Sequence, residues 1–212
     1  MIECVTLENN HLFAGNPIFA QHRLRYKRII ERQAWDVPHI REMEFDSYDN
    51  PAAYYLIKRN AAGDAVGVSR LCSTERPYML EEHFSHLITK YPIPKDQHVW
   101  ETTRFCVDDS LTPEERKKIL HELVLSHLEF ALQRKIKNIV AVTYPAFWRT
   151  IFINSGWDVE WLGSVHKSTE GLKIIAGSLH VSEEVLKNVQ KTTGIHDSVL
   201  SHGIQDHQQE AA

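Results

Sequence analysis

Apolar residues recur along the chain with two different periods, and these predict alternating strands and helices. Short alternating or continuous apolar runs predict strands at 2–7, 53–59, 65–72, 99–107, 138–144, 157–165 and 172–179. Longer stretches with apolar residues every three or four positions predict helices at 17–32, 77–91, 112–135, 145–155 and 181–191. The order β-α-β-β-α-β-α-β-α-β-β-α predicts an α/β fold, with a mixed central sheet and helices on both faces.

Two segments lack this periodicity. Residues 33–50 read as a loop or short helical turns, and the chain beyond Gly194 is polar and rich in His and Gln. We therefore predict one domain over 1–194 and a polar, frayed C-terminal tail over 195–212.

Composition narrows the class of protein. A formal charge of -4 argues against nucleic-acid binding, and no apolar run is long enough for a membrane span. The three widely spaced cysteines fit reduced, buried thiols in a cytoplasmic protein. Neither a CxxC nor an HExxH pair is present, so no metal site is expected.

The predicted strand Val99–Val107 carries two charged residues, Glu101 and Arg104. In a regular strand, residues three apart face opposite sides of the sheet, so one charge would enter the apolar layer. Either both faces meet other charges in a structural ion network, or a β-bulge turns both side chains into one polar cleft. The sequence leaves both alternatives open.

Other segments could supply partners for these charges, namely Arg25, Asp46, Asp49 and Arg70. A carboxylate in such a cleft can take a proton from an amine, directly or through one water, and the amine can then attack an acyl group. Strand N–H groups at a bulge could stabilise the oxyanion that forms. The chain has no GxSxG motif, so direct acyl transfer is the simplest chemistry.

Two charged segments of the sequence bear on which acyl carrier the protein uses. The turn Asp108–Glu115 is acidic and lacks Gly, which argues against ordinary CoA pyrophosphate binding there and favours a carrier protein. A basic group could dock an acidic carrier protein: Arg134, Lys135, Lys137 and Arg149. Solvated helix ends are the alternative interpretation of the same residues.

An ordered set of motifs resembles the acyl-homoserine-lactone synthases of bacterial quorum sensing, the LuxI-type autoinducer synthases. The set comprises Leu24-Arg25-Tyr26 with Trp35-Asp36, Glu44-x-Asp46-x-x-Asp49-Asn50, Val66-Gly-x-x-Arg70-Leu71, Pro77-Tyr-Met-Leu80 with Phe84, and Trp100-Glu101-x-x-Arg104-Phe105. Both order and spacing agree over roughly residues 20 to 110.

The resemblance implies a fold similar to the GNAT N-acyltransferases. It implies that an acyl group passes from acyl-carrier protein or acyl-CoA to the amine of S-adenosylmethionine, which is a substrate and not a cofactor. Lactonisation then releases methylthioadenosine. By the same resemblance, Glu101 is the base and acts with Arg104 at the catalytic centre. The remaining matching residues lie on the S-adenosylmethionine side: Arg25, Trp35, Asp46, Asp49, Arg70 and Phe105.

Some positions depart from the family pattern. Ile29 stands where a Phe is usual, and Thr102-Thr103 replaces a commoner pair. Four residues form a tentative acyl pocket: Phe84, Thr143, Phe147 and Trp148. Bulky Phe147 and Trp148 favour a short, branched or aryl acyl group, whereas Thr143 matches a position associated with 3-oxo acyl groups, and core packing explains the aromatics equally well.

Two other functions are compatible with the sequence. One is a GNAT-like acyl-CoA N-acyltransferase that acts on another amine. The other is a non-catalytic homologue that binds S-adenosylmethionine or a carrier protein.

Overall fold

The computed structural model describes residues 1–33, 37–168 and 171–203. Its strands are β1 Ile2–Val5, β2 His39–Ile40, β3 Met43–Glu44, β4 Tyr54–Arg59, β5 Ala65–Ser73, β6 Val99–Val107, β7 Asn138–Thr143, β8 Val159–Trp161, β9 His166–Lys167, β10 Lys173–His180 and β11 Leu200–Ser201. Its α-helices are α1 Pro17–Arg25, α2 Met79–Phe84, α3 Pro113–Gln133, α4 Pro145–Phe147 and α5 Glu183–Thr193. Helix α1 continues as a π-helix over Tyr26–Glu31, and α4 continues as a π-helix over Trp148–Phe152. Short 3-10 helices lie at Asn10–Leu12, Ser85–Leu87 and Ile153–Ser155.

The chain divides into two compact units. Of the described residues, the first unit contains 1–33, 37–71, 104–126 and 198–203, and the second contains 72–103, 127–168 and 171–197. Strand β6 and helix α3 each contribute residues to both units.

In the first unit the strands lie in the order β11-β1-β4-β5. Strands β4 and β5 form the predicted antiparallel hairpin, with Gly63 in the turn at φ +89°. Helix α3 covers one face of β5, where a Cβ atom added at Gly67 would lie 2.6 Å from Ile119 Cγ2. Arg70 comes three residues after Gly67 in a regular part of the strand, so its side chain points to the opposite face.

In the second unit the strands lie in the order β6-β7-β10-β8. Strands β6 and β7 are parallel, in register from Val99–Asn138 to Glu101–Val140, and β7 and β10 are antiparallel. One face is covered by α2 and the residues after it, with a core of Tyr78, Leu80, Leu87, Val140, Leu162 and Ala176. Helix α3 covers the other face, since His127 of α3 reaches Thr102 on the other side of β6. The helices of this unit therefore lie on both faces of its sheet.

The structure differs from the sequence prediction in two segments. Residues 33–50 include a β2–β3 hairpin whose turn residues, Arg41 and Glu42, have φ of 49° and 59°. Gly and Asn are the usual residues at such positions, so the sequence carries no hairpin signal there. Strand β11 lies within the predicted tail and pairs in parallel with β1, with Ile2 opposite Leu200.

Candidate active site

The first unit contains a buried cluster of three arginines and three carboxylates. Its members are Arg25 of α1, Glu44 of β3, Asp46 and Asp49 of the following turn, Arg70 of β5 and Arg104 of β6. The opposite formal charges are equal in number. Buried charges are tolerated only when they are paired and hydrogen-bonded, and this cluster satisfies that condition.

Arg25 is fully buried and connects two acids. Its Nε donates to Glu44 Oε2 at 2.5 Å, and its terminal nitrogens donate to the two oxygens of Asp49 at 2.7 and 2.8 Å. The bidentate geometry fixes the Asp49 carboxylate in one orientation.

Arg70 and Arg104 share a second acid, Asp46. Arg70 donates to both oxygens of Asp46 at 2.5 and 3.0 Å, and Arg104 Nη2 lies 2.7 Å from Asp46 Oδ2. Arg104 also donates to Glu44 Oε1 at 3.0 Å, so Glu44 bridges Arg25 and Arg104. The side chains of Arg104 and Asp46 are 9% and 12% exposed, whereas those of Arg25, Arg70 and Glu44 are inaccessible. A substrate would meet the cluster at Arg104 and Asp46.

The turn between the two aspartates is held by its own carboxylates. The Asp46 N–H donates to Asp49 Oδ2, and the Tyr48 N–H donates to Asp46 Oδ1. Burial alone would raise the pKa of Asp49, but hydrogen bonds and the charges of Arg25 and Arg70 hold it well below its usual range. Burial would also raise the pKa of Asp46, but the hydrogen bonds from Arg70 and the charges of Arg70 and Arg104 outweigh burial, so the pKa of Asp46 is lowered as well. Both acids are therefore anionic at neutral pH.

Arg104 interrupts the regular alternation of β6. Its φ is +55°, in the left-handed region that a strand residue other than Gly rarely occupies. A β-bulge between Glu101 and Arg104 is one of the two alternatives that the sequence leaves open. Arg104 also pairs with Glu44 and Asp46, as the ion-network alternative expects, whereas one polar cleft shared with Glu101 stays a prediction.

Glu101 belongs to the second unit and is 1% exposed. Its carboxylate accepts hydrogen bonds from the N–H groups of Met79 at 3.0 Å and Leu80 at 2.6 Å. These are the first two residues of α2, whose N-cap residue Tyr78 makes no side-chain cap hydrogen bond. The carboxylate thus caps a helix that lacks a local cap.

The tentative acyl-pocket residues do not share one face of the sheet. Phe84 packs against the core that contains Ala176 of β10. Trp148 is fully buried and lies near Gly177, where an added Cβ atom would be 3.0 Å from Trp148 Cζ2. Successive strand residues point to opposite faces, so Phe84 and Trp148 cannot line one continuous pocket. Thr143 pairs with Ile175 and shares the face of Trp148, and Phe147 is 41% exposed.

The four basic residues also do not form one group. Arg134, Lys135 and Lys137 follow the end of α3 and precede β7, whereas Arg149 follows the other end of β7. A strand of six residues spans roughly 20 Å, so the predicted patch is divided into a group of three and a single arginine. The sequence alone does not show this separation, because strand β7 lies between Lys137 and Arg149.

Two predicted site residues remain, Phe105 and Trp35. Phe105 follows Arg104 in β6 and is partly buried, and Trp35 lies outside the described residues. Ile29, the departure from the family pattern, is buried in the π-helix after α1. Burial raises the pKa of Cys106 to about 11, so this thiol stays protonated at neutral pH and is no nucleophile.

Three polar contributors were missed by the sequence analysis as site residues. Glu44 connects two arginines, the Tyr55 hydroxyl donates to Asp49 at 2.8 Å, and His22 Nδ1 donates to the Glu44 carbonyl at 2.7 Å. The signal that could have identified Glu44 is its place in the motif Glu44-x-Asp46-x-x-Asp49, two residues before the first aspartate. No comparable signal marks Tyr55 or His22.

Two kinds of feature are absent from the described residues. No helix there is long and apolar enough to cross a bilayer. In the same part of the chain, no group of three or more His, Cys, Asp or Glu side chains could hold a metal ion.

Comparison with known proteins places this geometry in a family. The model of the autoinducer synthase family matches residues 9–189. An acyl-homoserine-lactone synthase of Pseudomonas aeruginosa is 31% identical over 165 residues, which cover 76% of this chain and 78% of the relative. An isovaleryl-homoserine lactone synthase of Bradyrhizobium diazoefficiens is 28% identical over 208 residues, which cover 96% of this chain and 90% of the relative.

A solved structure gives the same result for the fold. The CoA-dependent acyl-homoserine lactone synthase MesI superposes with a TM-score of 0.79 and 29% identity, covering 96% of this chain and all (100%) of MesI. The predicted GNAT-like α/β fold is thereby confirmed. The chain belongs to the autoinducer synthase family.

Proposed function

We propose that the chain is an acyl-homoserine-lactone synthase. It transfers an acyl group from a thioester carrier to the amine of S-adenosylmethionine and closes the methionine-derived part into a lactone. Family membership and the Pseudomonas and Bradyrhizobium relatives support this reaction. The signal produced serves quorum sensing.

The observation that carries the proposal is the state of Glu101. A nearly inaccessible carboxylate on a central strand is costly unless it is hydrogen-bonded, and two backbone N–H groups hold this one in a single orientation. We assign it the role of general base, which takes the proton of the substrate amine through one water. On the family resemblance we assign the ion cluster of the first unit, which includes Arg104 and Asp46, to S-adenosylmethionine binding.

The bonding changes follow from this assignment. The free amine forms an N–C bond to the acyl carbon, the thioester C–S bond breaks, and the carrier leaves as a thiol with the proton. The substrate carboxylate then forms a C–O bond at the carbon next to the sulfonium. That C–S bond breaks and methylthioadenosine departs, so no oxidant, reductant or metal is needed.

The donor is the thioester of either acyl-carrier protein or CoA. Near β6 the turn carries Asp108 and Asp109, which pair with Lys27 and Arg28 of the first unit. The N-terminus of α3 is closed by Thr112, whose Oγ1 accepts from the Glu115 N–H at 3.3 Å. Both features disfavour a pyrophosphate there, whereas the likeness to CoA-dependent MesI favours CoA.

The decisive assay uses purified protein, S-adenosylmethionine, and matched acyl groups on acyl-carrier protein and on CoA. Lactone and methylthioadenosine are both quantified, and equimolar formation is expected with at least one donor. An acylated amine without methylthioadenosine would instead indicate a simple N-acyltransferase. Neither product with any donor would indicate a non-catalytic homologue and would refute the proposal.

The proposal includes a cytoplasmic location and no cofactor. Fractionation of expressing cells tests the location. Turnover of protein treated with a chelator and then desalted, with only the two substrates added, tests the cofactor statement. Loss of activity that a metal ion restores would contradict it.

A further inference from the structure

A buried hydrogen bond links β6 to α3 directly beside Glu101. Thr102 Oγ1 and His127 Nε2 are 2.9 Å apart, and the two residues are 4% and 0% exposed. Thr102 follows Glu101, so its side chain points to the face opposite the carboxylate. The pair therefore holds the strand from one side while the N–H groups of α2 hold Glu101 from the other.

The pairing and the backbone conformation of β6 change close to Thr102. Its parallel register with β7 runs from Val99–Asn138 to Glu101–Val140, and Arg104 has a left-handed φ of +55°. A non-Gly residue in that region is strained unless the surrounding structure fixes it. Thr102 lies between the end of the register and the strained residue, which is where a side-chain restraint has the most effect on direction.

From this geometry we propose that His127 is a positioning residue for the acyl transfer. Through Thr102 it fixes the direction of β6, and so aims the Glu101 carboxylate at the N–H groups of Met79 and Leu80. His127 lies behind the strand and does not itself touch the substrate. The inference rests on the proposed function, because it concerns the aim of the proposed base.

A satisfied core histidine would show the same burial and the same hydrogen bond. Removing the bond would then lower stability without altering the aim of Glu101. The two roles differ in one observable, the chemical environment of the Leu80 amide, because its proton is donated to Glu101 at 2.6 Å. A shift of this amide resonance reports the carboxylate independently of activity.

The first test compares Thr102→Val with Thr102→Ser, since Val removes the hydroxyl at equal shape and Ser keeps it. Loss of one buried hydrogen bond predicts a fall in kcat of about three- to tenfold for Val, with KM for S-adenosylmethionine within about twofold. The Ser variant should retain wild-type kcat. In ¹H–¹⁵N spectra the Leu80 amide should move in the Val variant and not in the Ser variant.

The second test changes the histidine, which guards against a Thr102 variant that fails to fold. His127→Gln can keep a hydrogen-bonding group toward Thr102 and should preserve kcat and the Leu80 resonance. His127→Leu removes that group and should reproduce the effects of Thr102→Val. Ser155→Ala is the matched control, because it removes another buried hydroxyl hydrogen bond of the second unit, to the Ile151 carbonyl at 2.6 Å, and it should leave the Leu80 amide in place.

Two outcomes would overturn the inference. One is a Thr102→Val protein with lowered melting temperature but unchanged kcat and Leu80 resonance. The other is an equal loss in kcat and in S-adenosylmethionine affinity. Failure of the proposed function is separate, because the wild-type protein would then form no lactone while the Leu80 resonance still responded to Thr102→Val.

Discussion

The substitution Glu101→Gln tests the proposed base most directly. The carboxylate accepts one N–H from Met79 and one from Leu80, at 3.0 and 2.6 Å. Gln retains the shape but replaces one oxygen with an NH₂ group, which cannot accept. One of the two N–H groups then faces another donor in a buried place.

Two magnitudes follow from this geometry. Loss of a positioned proton acceptor should lower kcat by roughly 10²- to 10⁴-fold. The lost hydrogen bond to a charged group should lower the free energy of unfolding by about 1.5–3 kcal/mol. For a protein of this size each kcal/mol lowers Tm by roughly 2–4 °C, so Tm should fall by about 3–12 °C.

The assay measures lactone formation under single-turnover conditions, well below the Tm of the variant, together with the Kd for S-adenosylmethionine by calorimetry. Glu122→Gln is the matched control, because Glu122 is also buried and is paired with Lys58 at 2.6 Å, in the first unit. It should lose stability and keep kcat. A Glu101→Gln enzyme with more than a tenth of wild-type kcat, or with equal losses in kcat and binding, would refute the assignment of the base.

Three further predictions concern the cluster, the core and the basic residues. Asp49→Asn leaves a buried guanidinium without its bidentate partner and should destabilise the protein by about 3–5 kcal/mol in chemical denaturation. Because the pKa of Asp49 is lowered in the folded state, its stabilisation is complete above its ordinary value of 3.8 and is lost as the pH falls below it. Tm should therefore drop steeply below about pH 4 in the wild type and less steeply in Asp49→Asn. Gly177→Ala places a Cβ 2.7 Å from Val159 Cγ1 and should cost about 1–3 kcal/mol of stability. Lys135→Glu should raise KM for acyl-carrier protein but not for acyl-CoA, if the group before β7 docks the carrier.

Two of these three predictions have a control variant elsewhere in the chain. Gly171→Ala meets no atom within 4 Å, although its φ of +80° is also unfavourable for Ala, so it separates crowding from backbone strain. Gly177 has no positive φ, so a Gly177→Ala protein as stable as the wild type would remove the crowding explanation. Arg149 lies beyond the far end of β7, so Arg149→Glu tests the other part of the divided basic patch. If both charge reversals raise KM equally for the two donors, neither residue docks a carrier protein.

Most elements of the fold could be predicted from periodicity and caps. The strand predicted at 99–107 matches β6 at both ends, and the helix predicted at 112–135 is found at Pro113–Gln133. Thr112 and Glu115 form reciprocal hydrogen bonds at the start of that helix, as their spacing indicates. Local chemistry determines these boundaries, so a single sequence carries them.

Long-range partners were harder to predict because they leave little local signal. The two hydrogen-bond donors to Glu101 lie 21 and 22 residues away in the sequence. They are backbone N–H groups, so no residue type marks them. The sequence signal is indirect. Tyr78, the residue before α2, is a poor cap, so the N–H groups at the start of that helix must find acceptors elsewhere. The separation of Phe84 from Trp148 depends on which strand residues face which helix. Aromatic content alone does not determine that.

Strand β11 has a practical consequence for handling the protein. Leu200 and Ser201 pair with Ile2 and Glu3, and the Ile2 N–H donates to the Val199 carbonyl at 2.6 Å. Removing residues from 198 onward would uncover the outer edge of β1, and an uncovered edge offers its hydrogen bonds to other molecules. Affinity tags are therefore better attached after residue 203 than in place of the preceding segment, and a shortened chain should form aggregates at concentrations where the full chain stays dispersed.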